Sequence, residues 1–244
     1  MNDRILITGT GSGVGLSLVR YLSQRFHVIA IVRSIDKDGH KFQGNGQVTL
    51  LQLDLSDPEA VETVIGKIAD EHGYIPYLIN NAGVNIKSDF DALNHEKIMQ
   101  SFQVNAFAPA MILRKLLPGM KQHNFGRVIN ITSGAPLNCF PQFGAYSASK
   151  AALNAFTVTA ARENSGSNIK INLMSPGPVR TNMAPEAPMD PSVCHPTVDY
   201  LLTLDEKGPT GRFFWLGYEI PLFPNLEGIH WLEGRADDHY RKVF

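Results

Sequence analysis

Tyr146 and Lys150 stand four residues apart in the run Gly144-Ala-Tyr-Ser-Ala-Ser-Lys150. On a helix that interval puts both side chains on one face. A phenol ionises near pH 10, and a neighbouring ammonium lowers that value, so the pair is expected to exchange a proton with a substrate oxygen near neutrality. Ser133, thirteen residues before the tyrosine, adds a hydroxyl that can hold charge developing on the same oxygen. This chemistry suits hydride addition to a carbonyl, or its reversal. A lone Tyr-x-x-x-Lys also arises by accident, so the pair takes its meaning from the rest of the chain.

The sequence opens with Thr8-Gly-Thr-Gly-Ser-Gly-Val-Gly15. Gly9, Gly13 and Gly15 let a backbone approach a pyrophosphate, and the N–H groups of a helix starting there, with Ser12 and Val14, would face it. Such a loop also serves methyl donors, and a plain turn is the simplest reading. The end of the next strand separates these. It reads Val32-Arg33-Ser34, with no acidic residue to take ribose hydroxyls. Arg33 has the charge and fork geometry for a 2′-phosphate, with Ser34 beside it, and so points to NADP(H); the alternative is a solvated arginine at a strand end. Asp54, followed by Leu55, is either an acceptor for an adenine amino group or an ordinary cap. Asn81, Ala82 and Gly83 are small enough to pass a flat adenosine, or simply make a turn.

These residues need a scaffold that gathers them. Apolar runs at residues 4–7, 27–32, 48–53, 77–80, 127–131 and 169–173 read as strands, alternating with helical patterns at 13–25, from Asp57-Pro58 onward, 94–122 and 146–163. Alternation of this kind predicts an α/β fold of Rossmann type. The expectation is a doubly wound, mostly parallel seven-stranded sheet in the order 3-2-1-4-5-6-7, with helices on both faces and one domain over 1–244. Ligands bind beyond the carboxyl ends of such strands, which is where every motif above falls.

The composition narrows the partners. A net charge of -1 over 244 residues provides no basic field for nucleic acid, and a small molecule is the expected ligand. The two cysteines, Cys139 and Cys194, have no metal-ligand or Cys-x-x-Cys companion, so no metal is expected and a reducing, cytoplasmic setting is the default. No apolar run reaches membrane-spanning length, and no signal segment precedes the first strand.

Taken together, Thr8 to Gly15, Asp54, Asn80 to Gly83, Asn105, Ser133, Tyr146 with Lys150, and Pro176-Gly-Pro-Val-Arg-Thr181 resemble the short-chain dehydrogenase/reductase superfamily over residues 4–181. The resemblance implies that Tyr146 is the general acid for ketone reduction and that Lys150 lowers its pKa and holds the nicotinamide ribose. Ser133 would orient the carbonyl, and Asn105 would hold a water in a relay reaching Lys150. Val179 and Thr181 would face the carboxamide, Pro176 and Gly177 would also bind the cofactor, and Asn81 to Gly83 would line the adenosine. Many NADP-preferring relatives carry a basic residue where this chain has Ser12, which leaves Arg33 to bind the phosphate.

Beyond residue 181 the chain departs from the commoner pattern. Residues 196–205 already read as the last helix, leaving 182–195 as a shortened lid that Pro185, Pro188 and Pro191 stiffen. Residues 210–221 are similar to the last strand of the carbonyl-reductase subgroup that includes the sniffer and C-factor type proteins. Pro136, Leu137, Cys139, Phe140, Phe143, Pro178 and Met183 are the expected substrate walls. They favour an apolar or aromatic carbonyl compound. Residues 222–244, with Phe223, Trp231, Tyr240 and Phe244, match no motif. They fold over the mouth, cover a partner subunit, or pack on the domain. The small-residue face of the helix at 146–163 could pair two subunits, so a homodimer is the preferred reading over internal packing. Two alternatives to a reductase stay open: alcohol oxidation by the same residues, and an NADP-binding redox sensor, which would need no proton relay.

Overall fold

The computed structural model describes residues 4–44, 47–224, 226–230, 233 and 235–240. Strand β1 (Arg4–Thr8) is buried along most of its length, as expected of a strand covered by helices on both faces. Helix α1 (Gly13–Leu22) follows, and β2 (His27–Val32), the short α2 (Ile35–Asp38) and β3 (Val48–Gln52) complete the first half of the sheet. Helix α3 (Pro58–His72) starts where Asp57 accepts from the N–H groups of Glu59 and Ala60, with proline in its first turn. It leads to β4 (Tyr77–Asn80).

The expected single helix over 94–122 is interrupted. Helix α4 (His95–Phe102) passes into a π-helical turn, Gln103–Phe107, before α5 (Ala108–Gln122). Two features meet at this turn: Pro109 has no N–H to give the Asn105 carbonyl, and the Asn105 side chain is bonded to the backbone of Val84. Then come β5 (Gly126–Ile131), the single-turn α6 (Ala135–Asn138), the long α7 (Gly144–Glu163) and β6 (Ile169–Ser175). The last helix, α8, spans His195–Leu202.

The sheet has the expected order extended by one strand, β3-β2-β1-β4-β5-β6-β7-β8, where β7 is Phe213–Trp215 and β8 is Tyr218–Ile220. All neighbours are parallel except β7 and β8. Residues 210–221 were expected to form one strand, but they make a hairpin. Trp215 pairs with Tyr218, and both linking residues, Leu216 (φ 47°) and Gly217 (φ 84°), are left-handed, the geometry that matches strand twist in a two-residue turn.

One core layer packs α1 and α8 onto the sheet through Leu18, Val19, Leu22, Val198 and Leu201. The other packs α3 and α5 through Ile65, Ile68, Ile112 and Leu116. Past β8, Leu222 rests on the cluster around Leu153 and Phe213, while Phe223 is half exposed. A small hairpin of β9 (Ile229–His230) and β10 (Arg235–Ala236) follows, and Tyr240 donates to the Glu227 carbonyl. Trp231 and Phe244 lie outside the described residues. No described helix is long and apolar enough to cross a membrane.

Candidate active site

The loops after β1 and β4 are sewn together. Thr8 Oγ1 accepts from the N–H groups of Asn81 and Ala82, and Asn81 Nδ2 donates to the carbonyls of Thr8 and Gly9. A methyl group on Gly9, whose φ is +68°, would come within 2.6 Å of the Ala82 backbone, and one on Gly15 within 2.2 Å of the Gly9 carbonyl. Any larger residue would push these loops apart. Their glycines therefore leave a bare-backbone cradle at the start of α1, the form a pyrophosphate needs. Val14 and Leu55 are buried, in the two different core layers. Ser12 precedes α1 with an extended backbone and makes no side-chain capping bond. Asn85, two residues beyond Gly83, has a buried side-chain oxygen with no hydrogen-bond partner among the described residues.

At the far end of the cradle Arg33 is exposed and makes no ion pair among the described residues, while Ser34 caps α2 by accepting from Lys37 N–H. Two residues missed in the sequence reading join it. Lys41 Nζ donates to the Gly11 carbonyl at 2.7 Å and to Asp38 Oδ1 at 2.5 Å. The Asp38 carboxylate packs so closely that a methyl on Gly11 would lie 2.4 Å from it. The signal available was the basic run after β2, Arg33, Lys37 and Lys41; the fold-back of Lys41 onto the loop was not readable. Asp54 Oδ1 is taken by Ser56 N–H and hydroxyl, so it forms a local turn.

Beyond β5, Ser133 and Thr132 separate cleanly. Thr132 is buried and bonded to Asn154. Ser133 accepts from Ala135 N–H, and its hydroxyl faces the Tyr146 phenol as a group that favours the phenolate. Tyr146 is buried at the start of α7. Burial raises its pKa above the ordinary phenol value, and the Ser133 hydroxyl offsets part of that rise. Lys150 has its own anchor. Lys150 Nζ donates to the Ile131 carbonyl at 2.7 Å, spending the ammonium on the end of β5. Complete burial lowers the pKa of Lys150 to about 8. Gly83 stands beside it, its missing methyl 3.5 Å from Nζ.

Asn105 is fully buried. Its Oδ1 accepts from Val84 N–H, and its Nδ2 donates to Val84 O and to Ser149 Oγ. Every polar atom of the side chain is thus engaged. In a regular helix its carbonyl would receive the N–H four residues on, but that residue is Pro109, which has none.

Of the expected walls, Phe140 and Phe143 line up with Tyr146 edge to face, each pair 6.0 Å between ring centroids. Leu137 and Phe140 are about half exposed, and Cys139 is exposed beside Pro136 with a left-handed backbone. Pro178 and Met183 stand exposed on the loop after β6. In the same loop Gly177 (φ +82°) abuts Leu216, Val179 is buried after Pro176, and Thr181 rests against Gly13. Residues 182–195 hold a short 3₁₀ turn, Pro191–Cys194, beyond the proline-rich stretch.

A family profile described as short chain dehydrogenase matches residues 3–191. The chain is 35% identical over 183 residues to the uncharacterized oxidoreductase YbbO of Escherichia coli, covering 74% of this chain and 67% of that protein. It is 31% identical over 186 residues to retinol dehydrogenase 8 of Bos taurus, covering 72% and 59%. Among solved structures, 4-hydroxyisoleucine dehydrogenase complexed with NADH and succinate superposes with a TM-score of 0.79 at 27% identity, over 86% of this chain and 96% of that one. An NADPH-bound carbonyl reductase from chicken fatty liver shares the fold, with a TM-score of 0.77 at 24% identity over 89% and 98%.

Proposed function

The chain belongs to the short-chain dehydrogenase family and is an oxidoreductase of that type, and from that premise we propose that it is an NADPH-dependent carbonyl reductase with Tyr146 as the proton donor. The observation that carries this reading is the Ser133 hydroxyl set against the Tyr146 phenol at the end of β5, beside the Phe140 and Phe143 rings and one helical turn before the buried Lys150. Two hydroxyls meeting at one point are what a carbonyl oxygen requires.

Bound nicotinamide would supply the hydride. Gly9, Ser12, Gly13, Val14 and Gly15 would hold the pyrophosphate, with Asp54, Leu55 and Asn81 to Gly83 along the adenosine. Val179 and Thr181 would meet the carboxamide, with Pro176 and Gly177 in the same cofactor loop, and Arg33 with Ser34 the 2′-phosphate. Tyr146 Oη gives its proton to the substrate oxygen while Ser133 Oγ donates a hydrogen bond to that oxygen. The raised pKa of Tyr146 keeps the phenol protonated at neutral pH, the state a proton donor needs; the same residues run alcohol oxidation in reverse, and cofactor and substrate concentrations set the direction. Lys150, protonated below about 8, stands behind the phenol as the next proton source. Because the Asn105 side chain is engaged with Val84 and Ser149, a relay water would rest on its main-chain carbonyl.

The short stretch at 182–195 and the β7–β8 hairpin support a place in the short-lid carbonyl-reductase subgroup. The exposed face of α7, with Ala148, Ala151, Ala155 and Phe156, supports pairing of two subunits, and the protein is proposed to act in the cytoplasm on an apolar or aromatic carbonyl compound.

The test is fluorescence titration with NADPH and NADH, followed by NADPH oxidation against aromatic and aliphatic ketones and aldehydes. Tyr146→Phe should lower turnover by about 10²-fold or more with NADPH affinity within about two-fold. Turnover by that variant at the parental rate would remove the tyrosine from its role, and failure to bind either dinucleotide would overturn the whole reading.

A further inference from the structure

The aromatic mouth contains one cation that the proton chemistry does not use. Lys87 Nζ lies 5.4 Å from the centroid of the Phe143 ring, and Phe143 in turn meets Tyr146 at an interplanar angle of 80°. This placement is built. Ser88 N–H donates to the Gln142 carbonyl at 3.1 Å, and Gln142 Nε2 donates to Asp89 Oδ1 at 3.0 Å. The two bonds fasten the residue after Lys87 to the residue before Phe143. They also hold Gln142 at φ 65°, a conformation costly for a residue with a side chain and one that persists where the surroundings enforce it.

The surroundings are apolar. Phe90 is 86% exposed on the same loop, and with Leu93 it lies against Gly144, where α7 begins. Nearby polar groups are committed elsewhere: Asp89 to Gln142, and Lys97 to Ser88 and the Ala92 carbonyl. Lys87 makes no ion pair among the described residues. An exposed apolar rim marks a surface that receives an apolar partner, and an exposed ammonium lying over a ring of that rim selects for negative charge.

Building on the reductase reading, we propose that Lys87 recognises an anion on the substrate, which is therefore a carbonyl compound with an apolar or aromatic body and a carboxylate or comparable anion at its far end. The carbonyl meets Tyr146 and Ser133, the body lies along Phe143, and the anion reaches Lys87.

The probes are 4-formylbenzoate and 4′-formylbiphenyl-4-carboxylate, each paired with its methyl ester, and the readout is the acid-to-ester ratio of kcat/KM with NADPH. The intact protein should favour at least one acid about three- to ten-fold, mostly through KM. Lys87→Met should erase that preference, Lys87→Arg should retain it, and about 0.5 M NaCl should shrink it. No preference for either acid, or one that survives in Lys87→Met, overturns the proposal. Binding of the corresponding alcohols to the NADP-loaded protein, followed by ligand-observed NMR, separates this from the reductase reading. A Lys87-dependent preference for the acids without turnover of any probe would keep the anion site and reject the reductase. Acid-blind binding with acid-blind turnover would do the reverse.

Discussion

Asn105 and Val84 hold each other by a reciprocal pair of hydrogen bonds. Val84 N–H donates to Asn105 Oδ1 at 2.8 Å, and Asn105 Nδ2 donates to the Val84 carbonyl at 2.9 Å. One side chain thus acts as a strand partner for the loop after β4 and ties that loop to the π-helical turn between α4 and α5. Through Ser149 it also reaches α7, one residue from Lys150.

Asn105→Ala should therefore be costly to the fold as well as to turnover. It removes partners from a main-chain N–H and a carbonyl in a part-buried setting, at about 1–3 kcal/mol for each group left unsatisfied. The urea midpoint should fall and catalysis should weaken together. An unchanged midpoint would show that water replaces the side chain, and would confine Asn105 to a catalytic role.

Lys150 makes stability depend on pH in an unusual direction. Its folded pKa is lowered to about 8 from the ordinary 10.5, so between those values the unfolded chain binds more protons than the folded one. Stability then rises with pH across that window, while the full cost of burying the charge applies below about 8. The size is on the order of 3 kcal/mol for a shift of this kind. Denaturant unfolding of the parent and of Lys150→Met from pH 7.5 to 10 checks it. The gap between them should move in favour of the parent as pH rises, and parallel curves would contradict the burial argument. Tyr146, whose folded pKa is raised, acts oppositely, losing stability only as pH climbs past the ordinary phenol value, which sets the upper limit of the window.

Arg33 is the residue on which cofactor choice turns in the proposed function. Arg33→Ala should weaken NADPH binding about ten-fold, the scale of one charge-assisted phosphate contact, and leave NADH within about two-fold. Equal losses for both dinucleotides would show that the arginine serves the loop and not a 2′-phosphate. Lys41→Ala should differ, since it breaks the bond to the Gly11 carbonyl and would loosen the cradle for both.

Much of this was legible in the residues. The strands read from apolar runs match the observed ones within a residue or two, because a parallel strand buried on both faces has little choice of composition. Glycine spacing worked for a related reason: Gly9 and Gly15 face backbone within 3 Å of where a methyl would sit, so a steric demand is written directly as residue type. The hairpin at Leu216–Gly217 was not legible, since one of its two left-handed residues is a leucine, which carries no turn signal. Pro109, with no N–H to give the Asn105 carbonyl, was a legible signal for the break in the helix at 94–122, whereas the bond between Asn105 and Val84, 21 residues away, was not.

What the sequence by itself determined was the chemistry available: a phenol, an ammonium and a hydroxyl on a Rossmann scaffold with a bare-backbone loop. These depend on local spacing and on residue types that few other roles require. Tertiary structure decided where the charges go. Lys150 lies on the Ile131 carbonyl, Lys41 folds back to Gly11, and Lys87 lies over the Phe143 ring on a loop tied to Gln142. A long flexible side chain can reach many partners within the same sequence, and only the packed surroundings select the one it keeps.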